Sequence, residues 1–190
     1  MTRRYELKRR AERQAETRRR IIEATVALHT SEGPARTTIS AIAGRAGVER
    51  HTVYAHFPDE RSLFQSCTAH WADVHPFPDP APWLAIEEAE QRLRVALRGV
   101  YDWYETVEQD VAIFERDARV HELTAEAVAR RKGRTRALRD ELLRGWSRRR
   151  SAVAALGHAL EFETWRSLTR DHGLSQRQAV DAMLRFVSSV

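Results

Sequence analysis

Residues 49–56 read ERHTVYAH, and several of these side chains could bind a polyanion through hydrogen bonds. Arg50 carries a rigid fork of donors that fits guanine O6/N7, and Thr52 can meet a base edge or a thymine methyl. Tyr54 and a neutral His56 can donate to phosphate and fix register without reading sequence. His51 stands beside Arg50. By local propensity the same stretch is awkward, because HTVYAHF is β-branched and aromatic and reads as strand. Which element holds these residues decides what they can do.

The flanking residues favour helices. Residues 7–32 read as one long helix with a basic start, and Ile21, Ile22, Thr25, Val26 and Leu28 mark its buried face. Gly33-Pro34 ends it. In TTISAIAGRAGV a threonine can cap a short helix whose apolar side is Ile39, Ile42, Ala43 and Ala46. Gly47 follows, where a left-handed conformation would turn the chain sharply. The next short run is Glu49 to Ala55. Phe57-Pro58-Asp59 then breaks the chain, and Asp59 can cap a helix holding Leu63 and Phe64. Two short helices joined by a glycine turn, behind a long basic helix, make a helix-turn-helix.

Charge is distributed unevenly. The first 20 residues hold nine Lys/Arg against three Asp/Glu, while residues 21–70 hold four against five and residues 71–190 hold 19 against 19. A basic arm on a neutral body points to a polyanionic partner such as nucleic acid, because clustered arginines release counterions. The blander reading is a solvated tail. The chain has 190 residues and a single cysteine, Cys67, so it holds no internal disulfide. With no apolar run of spanning length and no apolar core near its start, it is expected to be a soluble, cytoplasmic protein without a membrane partner.

Four of the six prolines crowd into VHPFPDPAPW, which is expected to be neither helix nor central strand. The expected organisation is an arm at 1–16, a helix-turn-helix domain at 17–70, a proline-rich connection at 71–82 and a helical domain at 83–190. That last segment reads as five helices. The first carries Leu93, Leu97 and Tyr104, and the second is short, around Val111, Ile113 and Phe114. The third runs from about Glu122 to Trp146, the fourth from Ser151 to Arg170. The fifth opens with SQRQ, a capping-box pattern. The last two are apolar over a wide arc, with Val153, Leu156, Leu160, Val180, Met183, Leu184 and Phe186. They suit a four-helix interface between two copies of the chain, against a central core helix in a monomer. The fold class is all-α.

Trp103, Tyr104, Phe114, Trp146, Phe162 and Trp165 could line a small-molecule cavity between helices, although aromatic residues at helical spacing also build plain core. No Gly-rich phosphate loop, nucleophile elbow, HExxH or CxxC occurs, so no catalytic residue, cofactor or metal is expected.

The pattern T-x-S-x-IA-x-x-AGV-x-x-x-T-x-Y-x-x-F, from Thr38 to Phe57, resembles the DNA-binding signature of the tetracycline-repressor (TetR) family of bacterial regulators. The resemblance implies a homodimeric transcription factor, usually a repressor, released from a palindromic operator in double-stranded DNA by a small-molecule effector. It places Thr38, Tyr54 and His56 against phosphate, and Arg50, His51 and Thr52 at base edges. Ser40 is a further contact. Two positions depart from the family. His51 stands where a small residue is common, and Glu60 stands where a lysine is common, with Arg61 beside it as the candidate substitute. The alternative from another class is a small-molecule-binding or sequestering protein with a degenerate DNA-binding domain.

Overall fold

The computed structural model describes residues 2–190, with side chains from Tyr5 onward. Met1 and the side chains of Thr2, Arg3 and Arg4, all part of the basic arm, lie outside the described residues. The chain forms α1 (Thr2–Ser31), a 3-10 turn (Pro34–Arg36), α2 (Ile39–Ala46), α3 (Arg50–His56) and α4 (Glu60–Val74). There follow α5 (Ala81–Leu84), α6 (Ala89–Asp117), α7 (Glu122–Leu142), α8 (Arg150–Ala159), α9 (Phe162–Arg166), a π-helical turn (Ser167–Asp171) and α10 (Gln176–Ser188). No strand occurs among the described residues. The all-α class expected from the sequence is the one observed.

Two compact units divide the chain. The first comprises Met1–Pro76 and Gln109–Val128, the second Phe77–Glu108 and Ala129–Val190. The division near Pro76 falls in the proline-rich stretch. The share of α6 and α7 that joins the first unit has no counterpart in the sequence pattern, from which 83–190 reads as one domain.

In the first unit, Ile21, Ala24, Leu28, Ile42, Ala43, Ala46, Val53, Phe57 and Leu63 form one buried cluster, so α1 to α4 share a single apolar core. Gly33 ends α1 with φ 102. A side chain there would meet Asp117, whose Oδ2 would lie 2.2 Å from an added Cβ. Asp117 is buried and accepts from the Ala35 N–H at 2.9 Å. Burial pushes its carboxyl upward, but the bonds from Arg116 and Ala35 outweigh that and hold it below its ordinary range.

Beyond α4 the sequence reading needs three corrections. The two helices expected around Leu93 and Val111 are one continuous helix, α6, which contains no proline to stop it. The proline-rich stretch holds a one-turn helix, α5, with Pro80 at the N-cap and Pro82 in the first turn, where a missing N–H costs nothing. The expected fourth helix is broken after Ala159, because Tyr101 and Tyr104 of α6 donate their hydroxyls to the Ala159 and Leu160 carbonyls, each at 2.8 Å. Those carbonyls are the acceptors a continuing helix would use. The capping box is present: Ser175 accepts from the Gln178 N–H, and the Gln178 side chain bonds back to the Ser175 N–H. Arg92 is fully buried with no carboxylate partner among the described residues. It donates to the Ile86 and Glu87 carbonyls at 2.6 and 2.9 Å and to the Arg144 carbonyl.

Candidate nucleic-acid interface

The turn of the helix-turn-helix is built on backbone hydrogen bonds. Gly47 takes φ 64 and ψ 42, and its N–H reaches the Gly44 carbonyl at 3.2 Å while Val48 N–H reaches Ala43 at 3.0 Å. These two bonds are the Schellman arrangement, which closes a helix on a left-handed residue and lets α3 leave at a steep angle. Thr38 caps α2 by accepting from the Ala41 N–H at 3.2 Å. Its hydroxyl proton is not used in that bond, so the exposed Thr38 can still donate outward.

Helix α3 is two turns long, and burial fixes which face it shows. Val53 is 0% exposed and Phe57 2%, four residues apart along one line of the helix. That orientation turns Arg50, His51 and Tyr54 outward, with Tyr54 48% exposed, while Thr52 and His56 are half-buried at the flanks. The awkward β propensity is overridden by this packing. Ser40 is exposed near the start of α2.

Arg61 stands apart from the other named contacts. Its guanidinium makes a bidentate pair with Glu126 of α7 at 2.6 and 3.0 Å. The candidate substitute for the usual lysine is therefore engaged inside its own unit, because α7 returns a carboxylate to the start of α4. Glu60 beside it pairs with His121 Nε2 at 3.1 Å. On the other side of that ring, Nδ1 lies 2.8 Å from Thr124 Oγ1 and accepts from the Thr124 N–H at 3.3 Å. One tautomer satisfies all three contacts, with the proton on Nε2 and donated to Glu60. Asp59 caps α4 by accepting from the Ser62 N–H at 2.7 Å.

Two further groups sit behind this surface. His29, Phe64 and His121 stack in series, with ring centroids 5.6 and 5.7 Å apart. Burial, with His121 nearby, pushes the His29 imidazole down to about 4. Cys67 Sγ lies 3.5 Å from His29 Nδ1, and burial pushes that thiol up to about 12, which makes it packing and not a nucleophile.

The basic arm is helical rather than a loose tail, since α1 begins at Thr2 instead of residue 7. Its side chains from Tyr5 to Glu16 are exposed. Two arginines that the sequence pattern does not single out approach the reading domain. Arg20 is the nearest side chain to the open side of Gly47, its Nη1 3.9 Å from where a Cβ would be. Arg18 donates to Ser66 of α4 at 2.9 Å. In the sequence they are two members of an undifferentiated RRR run, and helical phase alone does not say which of them meets another helix.

Of the six aromatic residues considered as cavity lining, four come together. Trp103–Tyr104, Tyr104–Phe162, Tyr104–Trp165 and Phe162–Trp165 are ring pairs with centroids 5.3 to 5.8 Å apart. All four residues are buried, and Trp165 Nε1 donates to Gln176 Oε1 at 2.9 Å. Phe114 lies in the first unit, edge-on to Trp71. Trp146 is half-buried beyond the end of α7, and its buried Nε1 has no partner among the described residues.

Parts of the chain match known proteins. The bacterial regulatory proteins of the tetR family match residues 21–67, which span the end of α1 through most of α4. An uncharacterized HTH-type transcriptional regulator of Mycobacterium tuberculosis is 46% identical over 61 residues, 32% of either chain. The HTH-type transcriptional regulator SrpR of Pseudomonas putida is 36% identical over 83 residues, 43% of this chain and 38% of that one. The chain thus matches only about a third of the length of these curated relatives. Among solved structures, a transcriptional regulator from Pseudomonas aeruginosa PAO1 superposes with TM-score 0.67 at 19% identity, covering 90% of this chain and 88% of that one. A TetR-family regulator from Mesorhizobium loti gives 0.60 at 19% identity, over 93% and 96%. The multidrug binding protein EbrR, complexed with imidazole, gives 0.52 at 20% identity, over 90% and 89%. At such identities the structural likeness is one of fold; the sequence matches concern the N-terminal domain. Residues 21–67 thus match the tetR family of bacterial regulatory proteins, and beyond them the likeness is one of fold.

Proposed function

We propose that the chain is a transcriptional regulator that binds a palindromic operator as a homodimer, represses from it, and leaves it when a small molecule binds. The reading rests on one observation above the others: α3 buries Val53 and Phe57 and turns Arg50, His51 and Tyr54 outward beside a glycine turn. In the complex α3 enters the major groove, Arg50 pairs with a guanine and Thr38, Tyr54 and His56 hold phosphates. The partnership of Arg61 with Glu126 leaves it a minor contributor, and Arg20 is the better phosphate contact. Helices α8 and α10 pair with their copies in the second protomer, and partly exposed Phe186 and Met183 belong to that surface. The effector would bind in the second unit, where the aromatic cluster of Trp103, Tyr104, Phe162 and Trp165 lies. The structurally similar EbrR is a multidrug binding protein, which supports a small organic effector. Catalysis has no part in this reading, and a cytoplasmic location follows from it.

The test is a mobility-shift titration of the protein against its own upstream DNA at moderate salt, with light scattering to count protomers. A specific shift by a dimer is expected. A dimer with no specific shift would favour a sequestering protein with a degenerate DNA domain.

A further inference from the structure

Three consecutive arginines close the basic segment, and they meet three different surroundings. Arg19 is held between two carboxylates, Glu16 at 2.7 Å and Glu23 at 2.6 Å. Arg20 lies over the Gly47 turn. Arg18, exposed like the other two, reaches α3 and α4. Its guanidinium carbon sits 4.5 Å from the centroid of the Phe57 ring, and Nη2 donates to Ser66 Oγ at 2.9 Å. Ser66 in turn donates to the Ser62 carbonyl at 2.9 Å.

Phe57 is the C-cap of α3, and its N–H reaches the Val53 carbonyl at 2.9 Å. Val53 is the buried residue of α3 itself, and buried Phe57 caps its end four residues on, so the two anchors lie along one side of the helix. Two anchors on one line fix where a helix lies but leave its roll about that line weakly determined. A small roll would carry Arg50, His51 and Tyr54 sideways across the groove. The Phe57 ring belongs to the buried cluster, and Arg18 of α1 adds a second hold on it, covering that ring while it bonds Ser66 of α4. Lysine cannot replace it, because a planar guanidinium stacks on a ring and donates in its own plane together.

We propose that Arg18 is a positioning residue for the recognition helix, setting its roll through Phe57 and Ser66, so that it serves base discrimination and not attraction to phosphate. This rests on the DNA-reading function proposed above. Of the three arginines, Arg20 alone then carries a phosphate.

The experiment uses the full chain and compares affinity for the duplex enriched by the wild-type protein from a random library with affinity for a scrambled duplex, across a salt series. Arg18→Lys and Arg18→Gln should each reduce the ratio of the two affinities by roughly threefold to tenfold while the salt slope stays unchanged. Ser66→Ala, which removes one acceptor and leaves the charge, should act in the same direction by about twofold to threefold. Arg20→Gln should leave the ratio unchanged and lower the salt slope by about one. Thermal melting accompanies each variant, and Arg18→Lys and Ser66→Ala keep the test open if Arg18→Gln unfolds. A wild-type ratio in Arg18→Lys, or a lower salt slope in Arg18→Gln, would overturn the proposal by making Arg18 a charge contact. A wild-type protein that enriches no duplex would instead overturn the DNA-reading function itself, and Arg18 with it.

Discussion

The two units spend the same residue types in opposite ways. In the first, Tyr54 stands 48% exposed on α3. In the second, Tyr101 and Tyr104 are essentially buried, and their hydroxyls close the end of α8. The first unit turns Tyr54 and the other polar groups of α3 outward; in the second, Tyr101, Tyr104 and Trp165 spend their polar atoms on internal acceptors. Trp165 Nε1 is satisfied by Gln176, and Arg92 is spent on backbone carbonyls. A tyrosine is thus a surface donor or an internal strut according to whether its oxygen finds an internal carbonyl.

The contrast can be broken by substitution, beginning where the effect is largest. Trp165→Ala, at 0% exposure in the aromatic cluster, should destabilise the protein by about 3–5 kcal/mol in denaturant unfolding. A loss under about 1 kcal/mol would show that the cluster is loosely packed. The next effect comes from pH. The His29 pKa near 4 lies below the ordinary 6.5, so the unfolded chain takes up the proton first. Stability should therefore be full above pH 6.5 and fall as pH drops from 6.5 through 4, by on the order of 2–3 kcal/mol. His29→Gln should flatten that window, and an unchanged pH profile in the variant would reassign the dependence to other groups.

Tyr101→Phe leaves the buried Ala159 carbonyl without its donor and should cost about 1–2 kcal/mol. Tyr54→Phe should do the reverse, leaving melting unchanged while weakening DNA affinity up to about tenfold for any sequence, as a phosphate contact does. If Tyr54→Phe also lowered stability, the division between surface donor and strut would fail.

How far the sequence can be read follows the same division. The helix-turn-helix is legible because local signals decide it: Thr38 and Asp59 as caps, Gly47 as the left-handed turn, and the spacing of Val53 and Phe57. The outward face of α3 follows from those anchors. The second unit is less legible because distant residues decide it. The break after Ala159 depends on two tyrosines of α6 that lie 58 and 56 residues away from their acceptors. No cap or proline at the break announces it. The pairing of Arg61 with Glu126 and of Glu60 with His121 is equally non-local, and it alters what both positions can offer to DNA. The three arginines at 18–20 look alike in sequence because charge alone does not encode which ring or carboxylate each will meet.

The central claim is that α3, aimed by the glycine turn, reads DNA in register with a second copy of itself. Selection from a randomised duplex library with the full chain tests it most directly. The account predicts an enriched inverted repeat with half-sites about one helical turn apart, or a multiple of that, and loss of preference at one base pair per half-site in Arg50→Ala. Enrichment of no motif, or an Arg50→Ala protein with the wild-type motif and uniformly weaker binding, would contradict it.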